Sequence, residues 1–273
     1  MNLKYTLLGL VLFVSCHKGA DNPVFPHNPR SFVAMQLKDI NLSGLPSPYY
    51  HFEYADTAHI SRLDFSGGLR MYNINYDGNN ISSMQSFGPN KDKLQYKYDK
   101  GALTGIDVFN VNGMVYRRCF FTYNSNYQLQ KMEWEFKPDN ADFGKEETLD
   151  FTYYADGNLE QIVTHYYAIG VQTEATVTDR YENYDDKVNV DGFSQVHTSQ
   201  FRHPVLLPDI ILQVNNPRRL IHTGPGDNFK IDYTYTYDAA NRPLVQTGDL
   251  VIIVNGTETG QHYALQTNFS YYN

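Results

Sequence analysis

The stretch "FTYYADGNLEQI", residues 151–162, recurs in altered form as "YKYDKGALTGI" at 96–106 and "YTYTYDAANRPL" at 233–244. In each copy aromatic residues alternate with Lys or Thr, which is the two-residue period of a strand with one buried and one solvated face. Asp, Asn and Gly follow, and they supply the positive φ angles and side-chain hydrogen bonds that tight turns need. Each copy therefore predicts one β-hairpin.

Behind each turn, two aliphatic residues stand three positions apart. A spacing of three cannot keep both residues on one face of a regular strand, so it implies a β-bulge or a separate role for each residue. The pairs are Ile81 and Met84, Leu103 and Ile106, Leu129 and Met132, and Leu159 and Ile162, with Ile60 and Leu63 as an early degenerate copy. Because single hairpins are marginal, successive copies must stack edge to edge. We predict an all-β fold: a long, curled antiparallel sheet of repeated β-hairpins that forms a single domain over residues 31–273.

One segment, residues 201–224, breaks this pattern. Pro208 suits the first turn of a helix, Asp209 favours its positive end, and Pro217 would stop it. We predict a short helical crossover whose apolar side chains plug one face of the sheet, with a ligand-gating element as the alternative. The plugging side chains are Leu206, Ile210, Ile211 and Val214.

The N-terminal residues predict export. Lys4 precedes an apolar run that is shorter than the roughly 20 residues of a membrane-spanning helix, so residues 1–15 are predicted to be a signal peptide. The junction "FVSC", residues 13–16, resembles the lipobox of bacterial lipoproteins, which implies acylation of Cys16; a plain secretory signal is the alternative. Residues 16–30, with Pro23, Pro26 and Pro29, predict an extended tether.

Composition and motifs exclude several classes of function. The formal net charge is −8 and Lys and Arg form no cluster, so nucleic acid is not an expected partner. Cys119 lies in an apolar strand-like run and is predicted to be a small buried hydrophobe. The chain has no HExxH, CxxC, GxSxG or phosphate-loop motif. We therefore predict no catalytic residue, no metal ligand and no cofactor.

The Tyr-Asp strand ends resemble the YD repeat of Rhs-type proteins. The matching residues are Tyr76-Asp77-Gly78, Tyr98-Asp99 with Gly101, Tyr153 with Asp156-Gly157, and Tyr237-Asp238. Together with the lipobox-like junction, they make the chain similar to YD-repeat-like lipoproteins of unknown function from Bacteroidota. That resemblance implies a lipid-anchored protein of the cell envelope, at the outer membrane and facing the periplasm or the exterior. It does not extend to the large Rhs toxins, which have many more repeats and a separate C-terminal effector.

The function predicted from these features is a non-catalytic binding or scaffolding module. The alternatives are an enzyme acting on envelope or dietary glycans and a lipid carrier. The candidate binding aromatics for a glycan or an envelope protein are the doublets Tyr49-Tyr50 and Tyr166-Tyr167, whose neighbouring rings must face opposite ways. Asp56-Thr57-Ala58 resembles the O-glycosylation site of Bacteroidota, which makes Thr57 a candidate for modification. The sequence leaves the oligomeric state open.

Overall fold

The computed structural model describes residues 36–272 apart from 58, 88–90, 139–140, 170–172, 191–204, 208–209 and 227. The predicted signal peptide, the tether and Cys16 lie outside these residues. Within them there are sixteen β-strands, and no helix is long and apolar enough to cross a membrane. The strands are β1 Leu37–Leu42, β2 Tyr50–Tyr54, β3 Ile60–Phe65, β4 Arg70–Asp77, β5 Asn80–Ser86, β6 Lys93–Asp99, β7 Ala102–Phe109, β8 Val115–Tyr123, β9 Leu129–Phe136, β10 Gly144–Tyr153, β11 Leu159–Tyr166, β12 Ala175–Glu182, β13 Arg219–Thr223, β14 Asn228–Tyr237, β15 Pro243–Val254 and β16 Thr257–Tyr271.

The strands form one closed antiparallel barrel. Each strand pairs with the next along the chain, and β16 returns to pair with β1, from Leu37 opposite Tyr271 to Leu42 opposite Thr267. The all-β prediction is confirmed. The sheet is closed, however, rather than an open curl. Closure pairs β1 with β16. In an open sheet, the backbone groups along one edge of each of these strands would lack ladder partners.

A β-bulge explains the three-residue spacing behind each turn. In the β6–β7 hairpin, Tyr98 pairs with Leu103 whereas Lys97 pairs with Gly105, so Thr104 is an extra residue. The inserted residue lets both Leu103 and Ile106 face the interior, where they are buried. The same register shift recurs in hairpins β2–β3, β4–β5, β8–β9, β10–β11 and β14–β15. The bulge alternative of the prediction is confirmed.

A ladder of tyrosine hydroxyls ties several hairpins to the strand that precedes them. The backbone pairing of β7 with β8 stops at Gly105 and Phe120. Beyond that point the Tyr123 hydroxyl donates to the Leu103 carbonyl oxygen at 2.8 Å. The Tyr153 hydroxyl does the same for the Leu129 carbonyl at 2.8 Å. Equivalent bonds join Tyr54 to Leu37, Tyr184 to Leu159 and Tyr271 to Pro243. These five tyrosines therefore extend the contact between neighbouring strands past the end of the backbone ladder.

The two faces of the barrel wall differ in chemistry. Its inward side chains form one buried core that includes Trp134, Tyr72 and Phe52. Its outward side chains carry cross-strand ion pairs. These join Lys97 to Asp107, Lys145 to Glu133 and Arg219 to Asp232, each at 2.6 Å. The wall is therefore mostly apolar inside, with Glu147 buried opposite Trp134 as an exception, and charged outside.

The connection between β12 and β13 fills part of the interior. Leu206 is buried, and its carbonyl accepts a hydrogen bond from Tyr96 on β6, a strand on the far side of the ring from β12. We call the described residues 205–207 and 210–218 the interior segment. The predicted plugging is confirmed in part: Leu206 is buried in the core and Ile210 packs against it, whereas Ile211 and Val214 are only half-buried. The other buried side chains of the segment are Val205, Leu207 and Leu212. The predicted helix is wrong for the described residues, 205–207 and 210–218. The reason is that the Asn158 side-chain oxygen accepts hydrogen bonds from the backbone N–H groups of Val214 and Asn215. In a helix these N–H groups would donate to backbone carbonyls four residues earlier instead.

Candidate functional site

The predicted binding aromatics lie on different parts of the barrel. Tyr50 is buried and Tyr49 is half-buried, with its ring centroid 5.0 Å from that of Tyr50. Tyr166 and Tyr167 are half-buried at the β11–β12 connection, where Tyr167 packs edge-on against His165 at 4.5 Å. Since β2 and β11 lie on opposite sides of the ring, the structure does not bring the two doublets together.

The candidate glycosylation residue lies in the β2–β3 turn. Thr57 is exposed, and its backbone carbonyl accepts a hydrogen bond from the Gln36 side chain at 2.8 Å. Asp56, which precedes it, contacts the His59 ring at 2.8 Å. The Thr57 hydroxyl group is therefore placed where a modifying enzyme can reach it, and its modification stays a prediction.

The outward group of His51, Asp39 and Ser270 does not have the order of a catalytic triad. Asp39 contacts the His51 ring at 2.6 Å and accepts a hydrogen bond from the Ser270 hydroxyl at 2.8 Å. A catalytic triad places the histidine between the hydroxyl and the carboxylate, whereas here the carboxylate is in the middle. Among the described residues, no group of three or more His, Cys, Asp or Glu side chains is arranged to hold a metal ion.

Cys119 is a buried core residue, as predicted. It has no exposed surface, and it pairs across the strands with Trp134 and Ile106. Burial raises the pKa of its thiol well above the ordinary value, and the nearby Glu147 and Glu133 raise it further. The thiol therefore stays protonated and is a poor nucleophile.

A small cavity lies between the interior segment and the wall. Its volume is about 70 Å³, which gives room for a few water molecules. The Gln246 amide donates to the Tyr235 hydroxyl at 2.8 Å, and that hydroxyl donates to the Pro217 carbonyl at 2.9 Å. The Gln213 amide oxygen accepts from Asn189 at 2.9 Å. This polar lining suits a hydrated contact between segment and wall, and the volume is too small for a sugar ring.

A larger groove opens on the outer surface between two neighbouring hairpins. The backbone ladder between β9 and β10 ends at Lys131 and Asp150, and beyond this point the hairpins diverge. The resulting space has a volume of about 530 Å³, within the range of small-molecule sites. We call it the inter-hairpin groove. It is lined by Asn124, Asn126, Gln128, Gln130, Phe151, Thr152, Tyr153, Tyr154, Ala155 and Gly157.

The groove presents fixed, uncharged hydrogen-bonding groups. The Asn124 side-chain oxygen accepts from the backbone N–H groups of Asn126 and Gln128 at 2.9 and 3.0 Å, which fixes the β8–β9 turn. The Asn124 amide also donates to the Gln128 amide oxygen at 3.1 Å. The opposite wall is held by the bond from Tyr153 to Leu129. Amides beside tyrosines can bind a hydroxyl-rich ligand by hydrogen bonds and ring contact.

Sequence reasoning missed this groove, although a signal for it was present. Other copies of the repeat carry Asp directly after the strand-end tyrosine, as at Asp77, Asp99 and Asp238, whereas this copy carries Asn124. The stretch "NSNYQLQ", residues 124–130, replaces the acidic turn with amides. The second wall comes from the next hairpin, so the groove itself could not be read from one copy.

Comparison with known proteins adds a likeness of fold. No protein-family model matches the chain, and no curated protein does. A crystal structure of a porin-like protein from Bacteroides uniformis is similar over 82% of this chain and 89% of its own, with a TM-score of 0.57 and 14% identity. The TcdB2-TccC3-Cdc42 structure matches 82% of this chain with a TM-score of 0.33 and 14% identity. The Photorhabdus luminescens Tc holotoxin pore matches 78% of this chain with a TM-score of 0.32 and 16% identity. In both cases the match covers 12% of the other chain. The chain thus shares the fold of the porin-like protein.

Proposed function

We propose that this protein is an exported, YD-repeat-like lipoprotein that acts as a non-catalytic binding module and takes a glycan in the inter-hairpin groove. The observation that carries the proposal is the lining of the groove. Its ten described lining residues supply amide groups, a threonine hydroxyl and tyrosine rings but include no Asp, Glu, His, Cys, Lys or Arg. Glycoside hydrolysis needs a pair of carboxyl groups, so this lining favours binding over turnover.

The charged outer wall supports a barrel that stands in water and is held to the envelope by acylated Cys16. A barrel that spans a membrane carries a band of apolar side chains on its outer face. Here the outward side chains of β8, β9 and β10 include Lys, Arg, Asp and Glu. A conducting pore also needs an open lumen. The interior segment and the inward side chains are buried against each other, which argues against both a channel and an empty trough for a carried lipid.

Binding is tested on the mature chain carrying Cys16→Ala, which lacks the anchor. On a glycan array we expect saturable binding that Gln130→Ala weakens by up to about tenfold, because one neutral hydrogen bond is lost. Gln95→Ala is the matched control, since Gln95 is an exposed outward glutamine on β6, away from the groove. Absence of saturable binding to any glycan contradicts the proposed ligand. Turnover of an oligosaccharide that is abolished by replacing one Asp or Glu would assign an enzyme instead.

Lipidation is tested separately by growing bacteria that express the full chain on labelled fatty acid. We expect label in the wild-type protein and in Cys119→Ala, which removes the other cysteine of the chain, and no label in Cys16→Ala. Equal labelling of the wild type and Cys16→Ala would refute the anchor. Fractionation of the labelled cells then tests the proposed location at the outer membrane.

A further inference from the structure

One end of the barrel carries most of the exposed apolar side chains of the described residues. Neighbouring strands are antiparallel and each pairs with the next along the chain, so successive connections lie at opposite ends of the barrel. The connections β15–β16, β1–β2, β3–β4, β5–β6 and β7–β8 therefore lie side by side at one end, because β16 pairs with β1. We call the exposed apolar side chains in these connections and at their strand ends the apolar rim. They are Leu45, Leu69, Phe87, Val111, Met114 and Val254.

The side chains of the apolar rim are well exposed and separate from one another. Leu69 is 71% exposed and Val111 is 62% exposed, more than any other large apolar side chain in the part of the chain that the structure describes. Gly, Ser and Asn flank them, as in "SGGL", residues 66–69, and "NVNGM", residues 110–114. Neighbouring strands are about 4.8 Å apart, so successive connections stand about 10 Å apart. The rim therefore offers separate apolar tips rather than one continuous patch.

The two ends of the barrel also differ in charge. The opposite end carries exposed carboxylates in or beside its turns, at Asp56, Asp77, Asp99 and Asp156. Among the described residues of the five connections at the rim, the one acid is Asp92, which is buried and accepts a hydrogen bond from the Tyr116 hydroxyl at 3.1 Å. Lys91, in the same connection, is exposed. The rim end therefore combines apolar tips with positive charge, whereas the opposite end is acidic on balance.

We propose that the apolar rim lies on an anionic phospholipid bilayer, with the acidic end of the barrel facing away from it. Separate apolar tips suit a bilayer, because fluid acyl chains surround each side chain, whereas a protein partner would need a continuous, closely packed surface. The phosphate groups of the lipids attract Lys91 and repel the acidic end. The barrel then rests on the membrane surface and does not cross it, in keeping with its charged outer wall.

This inference rests on the proposed lipoprotein function only in that acylated Cys16 would keep the barrel beside a bilayer. The chain enters the barrel at Leu37, opposite Tyr271, which lies at the acidic end. The 20 residues between Cys16 and Leu37 can span up to about 70 Å, whereas the eight residues of β7 measure about 27 Å. The chain before β1 is therefore long enough to pass along the barrel, and the anchor and the rim can reach the same bilayer.

Vesicle binding by the mature Cys16→Ala chain tests the rim without the anchor. We expect this chain to sediment with vesicles of phosphatidylglycerol and phosphatidylethanolamine. Leu69→Asn should weaken the binding about tenfold, because an exposed leucine side chain no longer enters the acyl chains. Leu244→Asn is the matched control, since Leu244 is exposed at the opposite end, and it should bind as the parent chain does. Lys91→Gln should weaken binding to these vesicles about fivefold and leave binding to phosphatidylcholine vesicles unchanged.

The orientation is tested with tryptophan reporters and with lipids brominated on their acyl chains, which quench tryptophan fluorescence on contact. Val111→Trp should be quenched. Ala240→Trp, in the exposed β14–β15 turn at the opposite end, should not be quenched. Trp134 is buried in the core and contributes a constant background. Circular dichroism confirms that each variant is folded.

Several results would overturn the proposal. They are absence of vesicle binding, equal binding by folded Leu69→Asn and Leu244→Asn, and quenching of Ala240→Trp in place of Val111→Trp. A dimer that forms without vesicles and that Leu69→Asn dissociates would assign the rim to a second copy of the chain, which also overturns it. Fatty-acid labelling of Cys16 is an independent measurement, so failure of the rim contact and failure of the proposed anchor are distinguished.

Discussion

Replacement of Tyr123 by Phe is the sharpest test of the tyrosine ladder. The change removes one oxygen atom and leaves the ring, so the packing of the strand end stays almost the same. The lost group is the donor of the 2.8 Å bond to the Leu103 carbonyl, beyond the last backbone pair of β7 and β8. Every bulged hairpin carries tyrosine at or next to the end of its first strand, whereas the residue at the preceding inward position varies, as in Phe121, Tyr96 and Ile74. This pattern indicates that the hydroxyl is the required part.

The expected cost follows from the surroundings of the bond. A neutral hydrogen bond contributes about 1 kcal/mol net, and a buried acceptor left without its donor costs about 1 to 3 kcal/mol. Leu103 is 3% exposed, so its carbonyl is poorly placed to bond to water instead. We therefore expect Tyr123→Phe to lower the free energy of unfolding by about 1.5 kcal/mol. Tyr153→Phe, one hairpin further, should cost a similar amount.

Chemical denaturation of the mature Cys16→Ala chain measures this effect. Thr122→Ala serves as the control, because Thr122 is exposed on the outward face of the same strand, and it should change the stability by less than about 0.5 kcal/mol. If Tyr123→Phe is as stable as the unmodified chain, the hydroxyl does not hold the hairpins together and the ladder is only a geometric coincidence.

Three further predictions concern the interior segment, pH and the strand faces. Asn158→Ala removes the acceptor of two backbone N–H groups of the interior segment. It should lower the free energy of unfolding by about 2 to 4 kcal/mol and make the segment sensitive to protease, whereas Asn126→Ala, at an exposed position, should change the stability little. Burial, followed by the charge of a neighbouring Asp, raises the pKa of Tyr116 to about 12. The stabilising effect of the protonated phenol should therefore be complete below about pH 10 and be lost as the pH rises to about 12, which an absorbance titration of tyrosinate measures. Ionisation of all tyrosines near pH 10 without unfolding would contradict this prediction. Tyr235→Ala should cost about 3 kcal/mol and Thr234→Ala well under 1 kcal/mol, and a reversed order would mean that the faces of β14 are misassigned.

Local patterns in the sequence were enough to predict the repeating unit. The alternation in "YKYD" placed Tyr96 in the core, and the spacing of Leu103 and Ile106 required a bulge, because each of these features involves residues that are close together in the chain. The inward face of β14 was predicted from Tyr235 in the same way, and Thr234 on the opposite face is exposed.

Features that depend on distant residues could not be predicted. Closure of the barrel rests on contacts such as that from Ser270 to Asp39, which are 231 residues apart, and no local pattern specifies such a pair. The helix predicted in residues 201–224 is absent from the described part of that stretch, where Asn158, from another hairpin, accepts hydrogen bonds from the backbone of Val214 and Asn215. The inter-hairpin groove escaped prediction for the same reason, since its walls come from two hairpins.

The pairing of β1 with β16 has a consequence for how the protein reaches its native state. A ring of strands in which each binds the next can grow hairpin by hairpin, but its last seam forms only after residues 267–271 are available to residues 37–42. Until then the backbone groups along the free edges of β1 and β16 lack ladder partners, and the apolar interior is exposed to solvent. Non-local closure of this kind is slow and leaves intermediates that aggregate. A chain exported through a membrane from its N-terminus would therefore complete folding only after β16 has crossed.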